Sequence, residues 1–391
     1  MLLLRNPSIR LLFAGQALYW SCSMIGITLT SLVGLQLAPL NVLATLPLAL
    51  WMLGNLFAVQ PLSLFMQRHG RRPGLLLGAG AGVLGGLLSA LGVWLGDFAL
   101  FCLGALPIGA YQASAMYYRF AALEAVEEAH RGRASAYVIG GGVLAAVLAP
   151  SLTLWARGAL STPFVGAYLL IATLALLAVL LLLKLPEGNA PRRAKAGLHE
   201  LKQLLRRPVV RAAIATTAVG NGLMVLVMNA TPLAMNFCGF GLASSAQVIQ
   251  WHMLGMFLPA FLAGPLVDRL GSRRVALLGG VILLISATLA LTGLQQLHFL
   301  LSSLLLGLGW NLMLVAGTTL LAEGHSDAER GQAQGLMELL NGLLAACAAF
   351  TAGALISGLG WGAINLVILP LVGLGMLMLL PARRGLLEAA G

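Results

Sequence analysis

Charge is scarce in this chain. Only 9% of its 391 residues are Asp, Glu, Lys or Arg, where soluble domains carry roughly 25%. With 59% hydrophobic residues and a mean hydropathy of +0.93, there is too little charge to shield the apolar surface from water. The solvent must be lipid, and a soluble fold is excluded. Cysteine is scarce too. Cys22, Cys102, Cys238 and Cys347 stand singly, with no CxxC spacing, so no disulfide framework is indicated. P-loop, catalytic-triad and nucleotide-fold patterns are all missing, which leaves an enzyme without support. The net charge of +11 invites a nucleic-acid reading. The basic residues, however, sit in short loops between apolar segments rather than in a patch, which argues against a nucleic-acid partner. The first apolar run has no small-residue cleavage site after it and reads as a retained helix.

What the chain has in abundance is long apolar segments. A bilayer span needs about 20 such residues. Twelve helices are predicted, near 10–35, 41–64, 74–95, 98–119, 134–155, 162–184, 210–236, 244–266, 275–296, 299–322, 332–356 and 361–381. The longest polar stretch, residues 184–207, divides them six and six. The expected organisation is an N-terminal six-helix half at 1–184, a linker at 185–209 and a C-terminal six-helix half at 210–391. With this count, one side of the membrane collects Arg5, Arg10, Arg68, Arg71, Arg72, Arg119, Arg131, Arg133, the 184–211 cluster, Arg269, Arg273, Arg274, Arg330, Arg383 and Arg384. The other side holds only Arg157. A missed or invented helix would scramble that sorting. The asymmetry therefore predicts cytoplasmic termini and a cytoplasmic linker.

Two loops repeat. "FMQRHGRRPGLLLG" (65–78) follows the second helix and "VDRLGSRRVALLGG" (267–280) follows the eighth, with Gly70 and Gly271 aligned and Arg68 and Arg269 two residues before them. Repeated halves of this kind describe a rocking transporter with a midplane site. The loops resemble the basic loop motif of the major facilitator superfamily, Asp-Arg-x-Gly-Arg-Arg. The second copy matches at Asp268, Arg269, Gly271 and Arg273. The first carries Gln67 where the family usually has aspartate. In that family the loop acid latches the cytoplasmic side, so Gln67 puts the first-half latch in question. The tract "YVIGGGVLAAVLAP" (137–150) permits close helix approach at Gly140, Gly141 and Gly142 and a bend at Pro150.

Polar groups inside a span mark partners or pathways. Of six histidines, only His252 lies deep in a helix. Five of the fourteen methionines, Met224, Met228, Met235, Met253 and Met256, fall within one short region. Met224 and Met228 are spaced i, i+4 on helix 7, and His252 and Met256 likewise on helix 8, so each pair shares a face. Residue numbers at equal depth in an antiparallel hairpin have a constant sum, and Met228/His252 and Met224/Met256 share one. Thioether and imidazole are soft, neutral ligands suited to copper, whereas zinc would favour thiolate or carboxylate. Methionine also fills irregular gaps in helix packing, which is the competing reading. Cys238 at the outer mouth, Met235 and Met253 are possible accessory ligands. Met24, Met52 and Met116 are candidates from the first half.

The two pairs, together with "YYRFAALEAV…RGRASAYVIGGG" (117–142), resemble the CcoA-type copper importers. That resemblance implies copper import through Met224, Met228, His252 and Met256, supply of a cbb3-type cytochrome oxidase and contact with a periplasmic or cytoplasmic copper chaperone. It also implies a multi-pass protein of a bacterial inner membrane. A sister branch, said to lack the pairs, carries riboflavin. The rivals are a carrier for riboflavin or a drug, and a copper sensor that binds without flux. Glu338, the one acid inside a span, is either a proton-coupling carboxylate or an interfacial carboxylate near the cytoplasmic end, paired with Arg330 or a loop arginine. Arg119 and Glu124 read as a gate or salt bridge, and Tyr111, Tyr117 and Tyr118 as interfacial anchors or cavity lining.

Overall fold

The computed structural model describes residues 6–40, 43–187 and 198–379. Among them, twelve helices are long and apolar enough to cross a bilayer. They are α1 Pro7–Leu37, α2 Leu46–His69, α3 Arg71–Leu95, α4 Phe98–Glu124, α5 Glu128–Arg157, α6 Val165–Leu182, α7 Pro208–Phe237, α8 Ser244–Leu270, α9 Ser272–Leu291, α10 Gln296–Glu323, α11 Arg330–Ile356 and α12 Gly358–Leu379. The count and order agree with the sequence reading. A short helix, Leu198–Arg206, lies within the polar linker. Arg5, Arg383, Arg384 and linker residues 188–197 lie outside the described residues.

Helix ends depart from the hydropathy reading where polar residues extend a helix beyond the apolar stretch. α2 runs on through Gln67 and Arg68 to His69 and stops at Gly70, whose φ of 91° favours glycine. α8 stops in the same way at Gly271, φ 84°. The repeated loop of the sequence is thus a repeated backbone conformation. At the start of α1, Asn6 accepts hydrogen bonds from the Ser8 and Ile9 amides at 2.9 and 3.4 Å, satisfying donors that a helix end leaves open.

Within the first six spans, α3 packs on α4 and α6 through small residues. A Cβ at Gly82 would lie 2.5 Å from the Tyr111 ring, and one at Gly86 2.7 Å from the Ala172 amide. Close backbone approach of this kind is how helices associate in lipid, where no hydrophobic force separates helix from tail. In the last six, α10 is the central helix. α7, α8 and α9 all pack against it, and Gly307 of α10 sits against the backbone of α8 at His252 and Met256. Tyr111, Tyr117 and Tyr118 are wholly buried. They are core residues of the first half, and the expectation of interfacial anchors is corrected. Their hydroxyl-bearing rings fill the space that glycines and alanines leave between α1, α3 and α4.

α5 and α8 are both interrupted near mid-depth, at Gly141 and at Leu258–Pro259. The two interruptions face each other. A Cβ on Gly142 would meet the Phe257 ring at 2.5 Å, and one on Gly140 would meet Phe261 at 2.8 Å. The triple glycine expected to be architectural lies at a contact between the first and last six spans.

Candidate functional site

Hydrogen bonds and ion pairs joining the first six spans to the last six cluster at the basic face. Ser63 donates to the Gly331 carbonyl at 2.7 Å. Gln67 donates to the Ala328 carbonyl at 2.5 Å and accepts from the Gly331 amide at 3.1 Å. Arg71 holds Glu124 and also reaches Gln334. Arg330 stands 3.4 Å from Glu124. On the other side of the interface, Arg133 Nε is 3.0 Å from Asp268 Oδ2. Deepest of all, Arg119 pairs with Glu338, their side chains 6% and 5% exposed.

These contacts settle two points left open by the sequence. Where the first-half loop lacks the usual acid, Gln67 makes neutral contacts with the residues around the start of α11. The Gln67 amide accepts at the start of α11, as a carboxylate would, and in addition donates to the preceding carbonyl. Glu338 is neither free nor paired with Arg330. Its partner is Arg119, across the interface, while Glu124 takes Arg71 and Arg330. Of the loop motif, Asp268 joins the seal, Gly70 and Gly271 end their helices, and Arg68 and Arg269 are exposed.

Above this seal lies a row of aromatic rings. Tyr111 meets Tyr19 edge-on at 5.5 Å, Tyr19 adjoins Trp20 at 5.4 Å, Trp20 meets Phe257 at 4.9 Å, and Phe257 meets Trp310 at 6.3 Å. The row crosses from α1 to α8 and α10, that is, from one half to the other. Trp20 is 13 residues from Pro7, Phe257 13 from Leu270, and Trp310 13 from Glu323. All three therefore lie about 20 Å from the basic face at 1.5 Å per residue. A polar relay continues from the row. Trp310 Nε1 donates to Asn221 at 3.2 Å, Asn221 to the Asn341 carbonyl at 3.3 Å, and the Asn341 amide to Glu338 at 3.4 Å. A mid-depth aromatic platform is thus connected to the buried ion pair of the gate.

The proposed copper ligands lie on α7 and α8, where α10 packs against both. His252 is buried and its Nδ1 meets the Ser303 carbonyl of α10 at 2.8 Å. That oxygen can only accept, so Nδ1 donates. The His252 ring is therefore committed to α10, and the backbone at Met256 accepts from Asn311 of the same helix at 2.7 Å. Met224 and Met256 are both buried in one core cluster, with Met228 and Met253 packed at its edge. Met235 belongs to a separate cluster, and Cys238 is exposed at the end of α7. Met24 is buried in the first half, and Met52 and Met116 are partly buried. Among the described residues, no three His, Cys, Asp or Glu side chains gather as a metal centre. Met235 and Cys238 do not join the other candidates because Met235 lies about two turns further along α7 than Met228 and Cys238 lies just past the helix end. The sequence reading missed Trp20, Phe257 and Trp310, since nothing in apolar spacing separates a platform aromatic from a packing one.

A lipid-embedded bundle of twelve helices, sealed at one face over a mid-depth platform shared by its two halves, is a carrier rather than an enzyme. The sequence model of the Major Facilitator Superfamily matches residues 11–259 and 240–390, and the chain belongs to that family of secondary transporters. It is 37% identical over 380 residues to the riboflavin transporter RfnT of Brucella anthropi, covering 95% of both chains. It is 28% identical over 360 residues to the uncharacterized transporter YdeG of Bacillus subtilis, covering 88% of this chain and 84% of that one. Among solved structures, the proton:xylose symporter XylE superposes with a TM-score of 0.79 at 16% identity, covering 95% of this chain and 94% of that one. The human organic anion transporter MFSD10 superposes at 0.78 and 16%, covering 96% and 99%. The resemblance to copper importers is not supported by these relatives.

Proposed function

We propose that the chain carries a flat heteroaromatic solute of the riboflavin type across the membrane by alternating access. The observation that carries this reading is the row Trp20–Phe257–Trp310, which brings aromatic rings of both halves together at mid-depth. The amides of Asn221 and Asn341 lie beside it to meet polar groups. The name of the Brucella relative agrees with it. Burial of a solute between two halves is how a rocking carrier couples binding to movement. By the distribution of its arginines the basic face is cytoplasmic, and its relatives in Brucella and Bacillus support a bacterial cytoplasmic membrane. The conformation is then outward-facing, with residues 1–184 and 210–391 moving as two units about the α5–α8 contact.

Uptake of radiolabelled riboflavin into proteoliposomes tests this reading. Saturable uptake is expected, with Trp20→Ala and Trp310→Ala each losing at least about tenfold in affinity, as loss of stacking area implies. Absence of saturable uptake by the unaltered protein would refute it.

A second reading, copper import through Met224, Met228, His252 and Met256, has one observation in its favour. His252 Nε2 is buried with no hydrogen-bond partner among the described residues, while Nδ1–H is fixed by a carbonyl, as in histidines that bind metal. Radioactive copper uptake by the unaltered protein and the four single alanine variants separates the two readings. The riboflavin reading expects no copper flux and no difference among them.

A further inference from the structure

The polar atoms near the aromatic row with no hydrogen-bond partner among the described residues include Gln16 Oε1, Trp20 Nε1 and Asn341 Oδ1, beside the hydroxyls of Tyr19, Tyr111 and Tyr118 and Asn311 Oδ1. The Gln16 and Asn341 side chains are 6% and 5% exposed, and an unmade hydrogen bond at such depth costs free energy unless something else makes it. Gln16 and Trp20 are i, i+4 on α1 and so point the same way. The orientation of the Asn341 amide is fixed chemically. Its nitrogen meets Glu338 Oε1, which in the carboxylate form can only accept, so the oxygen is the end left over. Asn341 is reached from Trp20 through continuous contacts, by way of Phe257, Trp310 and Asn221. It stands 11 residues from Arg330, near the depth of the rings. Unlike the tyrosine hydroxyls, which can donate or accept, Gln16, Trp20 and Asn341 offer fixed roles: one donor, from α1, and two acceptors, one from each half.

We infer that Gln16, Trp20 and Asn341 read a hydrogen-bonding edge of the solute in which a carbonyl adjoins an N–H, as in an imide or pyrimidinedione. The Trp20 N–H donates to the carbonyl, and an amide oxygen of Gln16 or Asn341 accepts the N–H. The aromatic row takes the flat face of the same solute. This deepens the heteroaromatic reading above and rests on it. Stacking alone tolerates any flat ring, because every ring has a face. Buried groups that need partners reject a ring that lacks the edge.

Competition against radiolabelled riboflavin in proteoliposomes tests the inference with two probes. N3-methylriboflavin keeps the ring and the chain of hydroxyls but loses the N–H. Lumiflavin keeps the ring and the edge but loses the chain. The unaltered protein is expected to bind N3-methylriboflavin about tenfold or more weakly than riboflavin, and lumiflavin within about threefold of riboflavin. Trp20→Phe keeps a stacking ring and removes only the donor, and Asn341→Leu removes an acceptor. Asn341→Leu is expected to weaken riboflavin while leaving N3-methylriboflavin unchanged, so that discrimination falls toward unity, whereas Trp20→Phe, whose lost donor meets a carbonyl that both probes keep, is expected to weaken both. Equal competition by riboflavin and the methyl analogue in the unaltered protein, a measurement that needs no variant, overturns the inference while the carrier reading stands. So does an Asn341→Leu variant that weakens both by the same factor, or a lumiflavin that fails to compete, which would assign the three atoms to the hydroxyl chain. Failure of the unaltered protein to take up riboflavin at all removes the carrier reading, and the inference with it.

Discussion

Replacing Glu338 by alanine removes one member of the ion pair that joins α4 to α11. Both side chains are about one-twentieth exposed, so the charge left on Arg119 stays out of water. Breaking a buried pair from one side costs about 3–5 kcal/mol. The cost falls on the conformation sealed at the basic face, because opening that face lets water reach the guanidinium. At about 1.4 kcal/mol per factor of ten, the ratio of sealed to opened forms should fall by at least about a hundredfold. Spin labels on native Cys238, exposed at the end of α7, and on a cysteine replacing exposed Leu40 beyond α1 report the opening at the other face, in a Cys347→Ser background. The unaltered protein should give a mainly long distance and Glu338→Ala a mainly short one. The double variant Arg119→Leu/Glu338→Leu, which leaves no unpaired charge, should move back toward the long distance. An unchanged distribution in Glu338→Ala would refute the reasoning, as would a double variant that behaves like the single one.

Gln67→Leu strips both hydrogen bonds from a buried contact. It should weaken the seal by about 1–3 kcal/mol, read as a partial shift between the same two labels. Gly264→Val places a side chain 2.6 Å from the Arg133 Cα; backbone cannot yield there, so α5 and α8 should separate at the basic face and uptake should fall sharply, whereas Gly373→Ala, with open space around it, should behave as the unaltered protein. Glu329, in the loop before α11, is held down to about 2 chiefly by the guanidinium of Arg207, which meets it at 2.7 and 2.8 Å. Because that value lies below the ordinary one of about 4.3, the pair stabilises the fold above that range and the gain disappears as pH falls toward 2. With Arg207 41% exposed, Glu329→Gln should cost less than about 1 kcal/mol at pH 7, and the melting curves of the two proteins should converge in acid.

Much was legible in the chain itself. Apolar runs long enough to span a bilayer, and arginines confined to alternate loops, fix twelve helices and their order, because lipid admits no other way to satisfy so much backbone. Gly70 and Gly271 mark the repeat since only glycine readily takes the conformation found there. What the sequence could not decide was which buried side chains meet. Helical spacing puts Met224 with Met228, and His252 with Met256, on common faces, but α8 packs with its backbone close against Gly307 of α10, and His252 meets Ser303 there. The same helix brings Phe257 to Trp20 and Trp310. Rings scattered over three helices become one platform, and Arg119 and Glu338, more than two hundred residues apart, become one gate. Periodicity is local to a helix, whereas the pairing of faces depends on how every helix in the bundle packs at once.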